Sequence, residues 1–358
     1  MKKIFFTPGP AQLYPSTQKH FKNAFNNNIA SISHRSKEFQ EIFQDLRGGL
    51  RELLAIPLNY QIFIVGSGTE AMERTIQNCV QKYSWHFVNG SFSKRFFKTS
   101  QELGKSPENF EVAFGQGFDF QQIVIPKKTE LICFTHNETS SGVMLSVKEI
   151  EKIAKKYPDS LVAVDTVSSS PYITIDYRLV DVVFFSVQKL YGLPAGLGIM
   201  IVSPRAIKKA ELLVKKGMSI GSYHSFVQLV QFAQKLQTPE TPPVMEMYVL
   251  SKVIQDMRKI GIAAIRSQTE QKAKLLYDFL DESNIFSAFV KEKEFRSITV
   301  IVADIQKTKK DVRKILAKKG LLVGSGYGDN KDKQIRIANF PAHSVRDVKR
   351  LIRELKTF

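Results

Sequence analysis

Apolar residues fall in short runs along the first two thirds of the chain: YQIFIV (60–65), ELICF (130–134), SLVAVD (160–165), VDVVFFSV (180–187) and GIMIV (198–202). Runs this short and this rich in Val, Ile and Phe predict strands buried on both faces. Around them, TEAMERTIQNCVQKY and SVKEIEKIAKKY repeat apolar residues at three- and four-residue spacing, the period of a helix with one buried face. Strands alternating with helices predict an α/β fold, a mainly parallel sheet covered by helices. The alternation stops at the proline cluster QTPETPPV (237–244). Beyond it, MEMYVLSKVIQDMRKIG predicts a long helix, and SITVIVA and QIRIANF predict strands of a smaller α+β unit. The expected division is a large domain over 1–244, with an N-terminal arm, and a small C-terminal domain over 245–358.

In open α/β sheets, ligands bind at the carboxyl ends of the strands. Three strand ends here carry reactive groups: LVAV ends in Asp165-Thr166, VVFFSV is followed by Gln188-Lys189, and LICF runs into Thr135-His136-Asn137-Glu138-Thr139. Singly, each has a structural explanation: Asp165 as a turn cap, Lys189 as a strand-end cation, Thr139 as part of a loop network. Together they put a carboxylate, an amine and a hydroxyl on one sheet edge. A lysine at an apolar sheet mouth loses hydration, which lowers its pKa and makes the amine a better nucleophile toward a carbonyl. Pyridoxal phosphate uses such an amine for a Schiff base and needs a carboxylate facing its pyridine nitrogen. Asp165 and Lys189 are 24 positions apart, room for one strand-connection-strand unit, so both can flank one ring.

IFIVGSGTEAMERTIQ (62–77) supplies a strand, a glycine turn and a helix start. Gly66 and Gly68 allow close approach of an anion, and amides near Thr69 and Glu70 point at it with the helix dipole behind them. GSGTEA also satisfies a dinucleotide-binding pattern, which requires an acidic residue about 20 positions on. YSWHFVNGSFSK stands there without one, which favours a cup for a single phosphate.

Composition narrows the partners. The chain has 358 residues, with 52 Lys+Arg against 34 Asp+Glu for a net charge of +18. Much of that excess lies in RAIKKAELLVKK, QKTKKDVRKILAKK and RDVKRLIRELK, where cations alternate with apolar residues as on the wet faces of amphipathic helices. No basic run is interleaved with aromatics, so nucleic-acid binding is not expected. The opening MKKIFF has no signal-peptide core, and no apolar run reaches membrane-spanning length. A cytoplasmic protein is expected. The two cysteines, Cys79 and Cys133, lack metal-site spacing, and no metal is expected.

With these pieces in place the chain resembles the class V, fold-type-I pyridoxal-phosphate aminotransferases, most of all their phosphoserine branch. The resemblance runs through FTPGPAQL, SHRSKEF, the GSG turn, HNETSSG, VDTVSS, SVQK with PAGLG, a TPP segment and IRIANFP. It implies that Lys189 carries the cofactor, Asp165 pairs with the ring nitrogen, and Thr139 bonds the ring hydroxyl. It implies that Gln188, Gly68 and Thr69 hold the phosphate, that Phe92 stacks on the ring, and that Thr241 arrives from the second subunit of a homodimer. Arg336 would grip the substrate carboxylate, since a guanidinium fork suits that group. His34 and Arg35 would cross the dimer to a substrate phosphate. The implied reaction is transfer of an amino group between phosphoserine and 2-oxoglutarate, in serine biosynthesis.

Three features point instead to an alanine–glyoxylate or serine–pyruvate type of the same family. Gly324-Ser325-Gly326-Tyr327-Gly328-Asp329-Asn330 replaces a histidine-arginine step usual in the phosphoserine branch, the glycine turn reads GSGTEA, and QTPE is inserted before TPP. Cysteine desulfurases need a cysteine late in the chain, and none follows Cys133. A non-enzymatic basic binding module would leave the strand-end Asp, Gln and Lys without a purpose.

Overall fold

A computed structural model describes residues 3–308 and 310–358. Met1 and Lys2 of the opening MKKIFF, and Lys309 of the run QKTKKDVRKILAKK, lie outside them. The main sheet has seven strands, in spatial order Gln61–Val65, Gly198–Val202, Val182–Ser186, Leu161–Asp165, Leu131–Thr135, Tyr83–Val88 and Ser106–Glu111. All neighbours are parallel except around Gly198–Val202, which runs antiparallel to both of its partners.

The apolar runs follow from a sheet covered on both sides. Alternate side chains enter two separate cores: Ile62, Ile64, Phe134, Val162, Val164 and Phe185 pack on one face. Phe63, Val65, Cys133, Ala163, Phe184 and Met200 pack on the other. Opposite pointing at every residue is the strand period, so the interiors of these strands are apolar. Two strands depart from the pattern and are not predicted by it: Tyr83–Val88, which buries Ser84 and His86, and the edge strand Ser106–Glu111, which is polar and largely half-exposed. A polar edge blunts pairing with another chain.

A second sheet has five strands in the order Ile4–Phe6, Leu321–Ser325, Gln334–Ala338, Val300–Ile305 and Phe286–Ala288, with only the first pair parallel. Its core joins Phe6, Ile301, Val323, Ile335 and Ile337 to Leu276 and Leu280 of the helix Ile262–Glu282 and to Val348 and Leu351 of the helix Val345–Leu355. Ile4–Phe6 thus belongs to this second sheet, and Pro8-Gly9-Pro10 carries the chain back to the first. The long helix Val244–Ile260 packs with Lys37–Leu54 in the large sheet's core, through Val249, Leu250 and Val253 against Leu46 and Leu50. Among the described residues no helix is long and apolar enough to cross a membrane.

Candidate active site

The carboxyl ends of the parallel strands open on a cavity of about 390 Å³, within the size range of small-molecule sites. Eight of the eleven predicted site residues line it: Gly68, Thr69, Phe92, Thr139, Asp165, Gln188, Lys189 and Arg336. Asp165 ends its strand between Thr135 and Phe184 of the neighbouring strands. Lys189 follows Val182–Ser186 through a turn closed by a hydrogen bond from Gly192 N to Lys189 O at 3.1 Å.

Both groups are withdrawn from water. Lys189 is 6 % exposed and Asp165 4 %. Burial lowers the Lys189 pKa to about 8, against the pull of Asp165 and Glu138, which favour the ammonium. Burial likewise raises Asp165 to about 7, although Val167 N donates to its Oδ1 at 2.8 Å and Lys189 holds it down. The amine donates to Thr139 Oγ1 at 3.0 Å. Thr139 Oγ1 donates in turn to Ser168 Oγ at 2.9 Å, which is fixed by Asn137 Nδ2 at 2.8 Å. A chain of side-chain hydrogen bonds thus orients the lysine from a strand end 50 residues earlier.

Gly9 sets the other side of the lysine. A Cβ on it would lie 3.1 Å from Lys189 Cε, and its φ of +151° is one that residues with side chains rarely adopt. Gly68 opens the helix Gly68–Cys79, and its N–H donates to Ser186 Oγ at 2.7 Å. A Cβ there would meet Val167 Cγ2 at 2.7 Å, so the helix start reaches the cavity wall only with glycine. The preceding Ser67 caps the helix by accepting from Glu70 N at 3.0 Å.

Phe92 stands with its ring centroid 4.9 Å from Lys189 Nζ. It sits in the first turn of the helix Ser91–Glu102, whose cap residue Gly90 has no side chain to offer. The buried carboxylate of Glu138 caps it instead, accepting from Phe92 N at 3.1 Å and Ser93 N at 2.9 Å. It also accepts from Ser93 Oγ, Ser140 N and Ser140 Oγ. Any Cβ on Gly90 would lie 2.4 Å from Glu138 Cγ. Arg336 closes the cavity from the second sheet, with Nε on Ser325 O at 2.7 Å and Nη1 on Thr139 O at 3.2 Å. The Tyr327 ring lies 5.3 Å from its guanidinium and 5.9 Å from the Phe92 ring.

His34, Arg35 and Thr241 do not line this cavity. They gather at the surface, with Thr241 Oγ1 3.4 Å from His34 Nδ1 and Arg35 bonded to Thr238 O and Gln237 Oε1 at 2.7 and 3.0 Å. Sequence reasoning missed Pro8, Gly9, Ser168, Ser186 and Tyr327 on the wall, and Glu138 behind it. FTPGPAQL, VDTVSS and HNETSSG carry several of these, but only long-range contacts distinguish them from ordinary turn residues.

The wall suits pyridoxal phosphate: an amine and a carboxylate face one space, a hydroxyl and an aromatic ring flank the amine, and an N-terminal helix turn reaches the same space. Comparison with known proteins agrees. The profile of the family described as aminotransferase class-V matches residues 108–351. A phosphoserine aminotransferase of Rhodococcus opacus is 25% identical over 98% of this chain and 93% of its own length. The crystal structure of a phosphoserine aminotransferase from Cytophaga hutchinsonii superimposes with a TM-score of 0.97 at 47% identity, covering 99% of this chain and 98% of that one. An alanine–glyoxylate aminotransferase from Nostoc sp. shares the fold at 21% identity and a TM-score of 0.84, over 100% of this chain and 95% of that one.

Proposed function

From the premise that this chain belongs to the class-V aminotransferase family and is a pyridoxal-phosphate-dependent transaminase, we propose that it exchanges the amino group of O-phosphoserine with 2-oxoglutarate. The observation that carries the substrate choice is the likeness, along the whole chain, to the 47% identical phosphoserine aminotransferase of C. hutchinsonii. Serine biosynthesis would be the setting, and the cytoplasm the location, in keeping with two free buried cysteines.

When bound, pyridoxal phosphate supplies a carbonyl carbon for an amine and a ring that withdraws electrons. The chain's own residues do the rest. Lys189 Nζ, whose pKa burial lowers to about 8 so that more of the amine is neutral than in water, would hold the cofactor and would carry a proton away from the substrate Cα. Asp165 would hold a proton on the ring nitrogen, and a positive charge there would in turn keep its carboxylate ionised. Thr139, which already orients the lysine, would also hold the ring hydroxyl, Phe92 would stack on the ring, and Gly68, Thr69 and Gln188 would receive the phosphate. Arg336 spends two of its five donors on backbone carbonyls and keeps the others for a substrate carboxylate.

His34, Arg35 and Thr241 lie together outside the cavity of their own chain, which supports a homodimer in which they enter the partner's cavity. There His34 and Arg35 would meet the substrate phosphate. The alternative, an alanine–glyoxylate type of exchange, is favoured by the turn 324–330, which puts the Tyr327 ring beside Arg336 where a charged ligand would otherwise stand. Steady-state turnover separates the two. Phosphoserine with 2-oxoglutarate should exceed alanine with glyoxylate by about a hundredfold or more in kcat/KM. Equal or reversed preference would favour the alternative.

A further inference from the structure

Behind the glycine turn of the cavity lies a buried imidazole, His224, 4 % exposed. Its Nδ1 is hydrogen-bonded to Glu70 Oε1, and its Nε2 lies 3.0 Å from Glu240 Oε2. The Nε2–Oε2 approach is an ion-pair contact whose alignment falls short of a hydrogen bond, and two carboxylates closing on one ring from opposite sides favour the imidazolium over the neutral form. Burial opposes that charge, but Glu240 and Glu70 outweigh it and raise the pKa to about 9. Other groups face the trio from each side. Arg74, one turn along the Glu70 helix, acts on Glu70; His34 feels Glu240; and the Tyr223 ring packs on the imidazole at 4.1 Å.

Each carboxylate also holds a segment of the proposed sites. The second oxygen of Glu70 accepts from Gly66 N at 2.6 Å and so grips the turn whose Ser67, Gly68 and Thr69 line the cavity. Glu240 directly precedes Thr241, in the loop that Arg35 holds through Thr238 O. His224 therefore stands between the phosphate turn of its own subunit and the segment offered to the partner.

We propose that His224 is a positioning residue: as an imidazolium bridging Glu70 and Glu240, it clamps the Gly66–Thr69 phosphate turn to the segment carrying Thr241. The inference rests on the reading that this turn receives the cofactor phosphate. It has an electrostatic side as well. With the imidazolium in place the trio carries one net negative charge; without it two carboxylates face a phosphate dianion across the turn, which weakens anion binding. The ordinary imidazole titrates near 6.5 and this one near 9, so the contribution of the clamp is full below 6.5 and is lost as pH rises through 9.

The test compares two aldehydes on the apo-protein, pyridoxal phosphate and pyridoxal, which lacks the phosphate. Binding is read by absorbance in wild type, His224→Gln, His224→Lys and the double variant Glu70→Gln with His224→Gln. His224→Gln should lose about tenfold in affinity for pyridoxal phosphate at pH 7.5 and little for pyridoxal. The double variant, with the unpaired carboxylate neutralised, and His224→Lys, with a cation retained, should each recover part of the loss. In wild type the ratio of the two affinities should fall as pH passes 9, and His224→Gln should have a flat ratio. Amide exchange over 237–241 should quicken in His224→Gln. An equal loss for both aldehydes, or none, overturns the clamp, and so does a wild-type ratio that ignores pH, which needs no variant to fold. Wild type binding both aldehydes equally would instead remove the phosphate turn itself.

Discussion

Lys189 Nζ and Thr139 Oγ1, 50 residues apart, meet at 3.0 Å on the floor of the cavity, both buried. The contact holds an amine of lowered pKa against a hydroxyl, so that a neutral lysine keeps one orientation. Capture of pyridoxal phosphate by the apo-protein should then rise with pH about a midpoint near 8, because only the unprotonated amine attacks. At pH 7 roughly a tenth of the amine is neutral, on the order of 300-fold more than for a lysine titrating at its ordinary value. Stopped-flow absorbance across pH 6–10 gives the midpoint. A midpoint near 10 would mean that the amine is solvated.

Asp165→Asn keeps the shape and removes the charge. Turnover should fall by about two orders of magnitude or more, since an amide cannot hold a proton on the ring nitrogen. The midpoint for capture should also move below 8, because Asp165 is the charge that raises the Lys189 pKa most. Unchanged turnover would mean that another group faces the ring.

Glu138 accepts from Phe92 N, Ser93 N and Ser93 Oγ at the start of the helix that bears Phe92, and from Ser140 N and Ser140 Oγ in its own turn. Glu138→Ala leaves those buried donors unpaired and should cost about 3 kcal/mol or more in urea unfolding. Glu138→Gln, which keeps one acceptor oxygen, should cost less. A loss under about 1 kcal/mol for the alanine variant would mean that water replaces the carboxylate.

The strands at the centre of the main sheet are legible in the sequence because burial on both faces leaves uninterrupted apolar runs such as VVFFS and LVAV. Ser106–Glu111 is not, because an edge strand with wet faces has no such run. The reversed direction of Gly198–Val202 leaves a fainter trace: the segment 187–197 that joins it to Val182–Ser186 is broken by Gly192, Pro194 and Gly196 and holds no crossover helix. At the site, residues of strong chemical character stand out, Lys189 and Asp165 above all. Gly9, Ser168 and Glu138 act through partners up to 180 positions away, as Gly9 does on Lys189, and periodicity carries no trace of them.

The proposed homodimer, in which a second subunit completes each site, makes a specific demand on mixtures. Lys189→Ala should be inactive alone, as should Arg35→Ala combined with Thr241→Ala. Mixed after dissociation, half of the dimers should be hybrids with one intact site of two, restoring about a quarter of wild-type turnover. Mixtures that stay inactive, or a fully active monomer by sedimentation, would contradict the shared site.

The proposed amino donor is a phosphorylated amino acid. The half-reaction tests it without an acceptor: the holoenzyme is mixed with O-phosphoserine or with alanine, and the visible absorbance of the bound cofactor is followed as the amino group is taken up. At equal donor concentration, O-phosphoserine should convert the cofactor about a hundredfold faster than alanine, and Arg35→Ala should remove most of that advantage. Faster conversion by alanine, with no effect of Arg35→Ala, would contradict the claim and leave the alanine–glyoxylate type of exchange in its place.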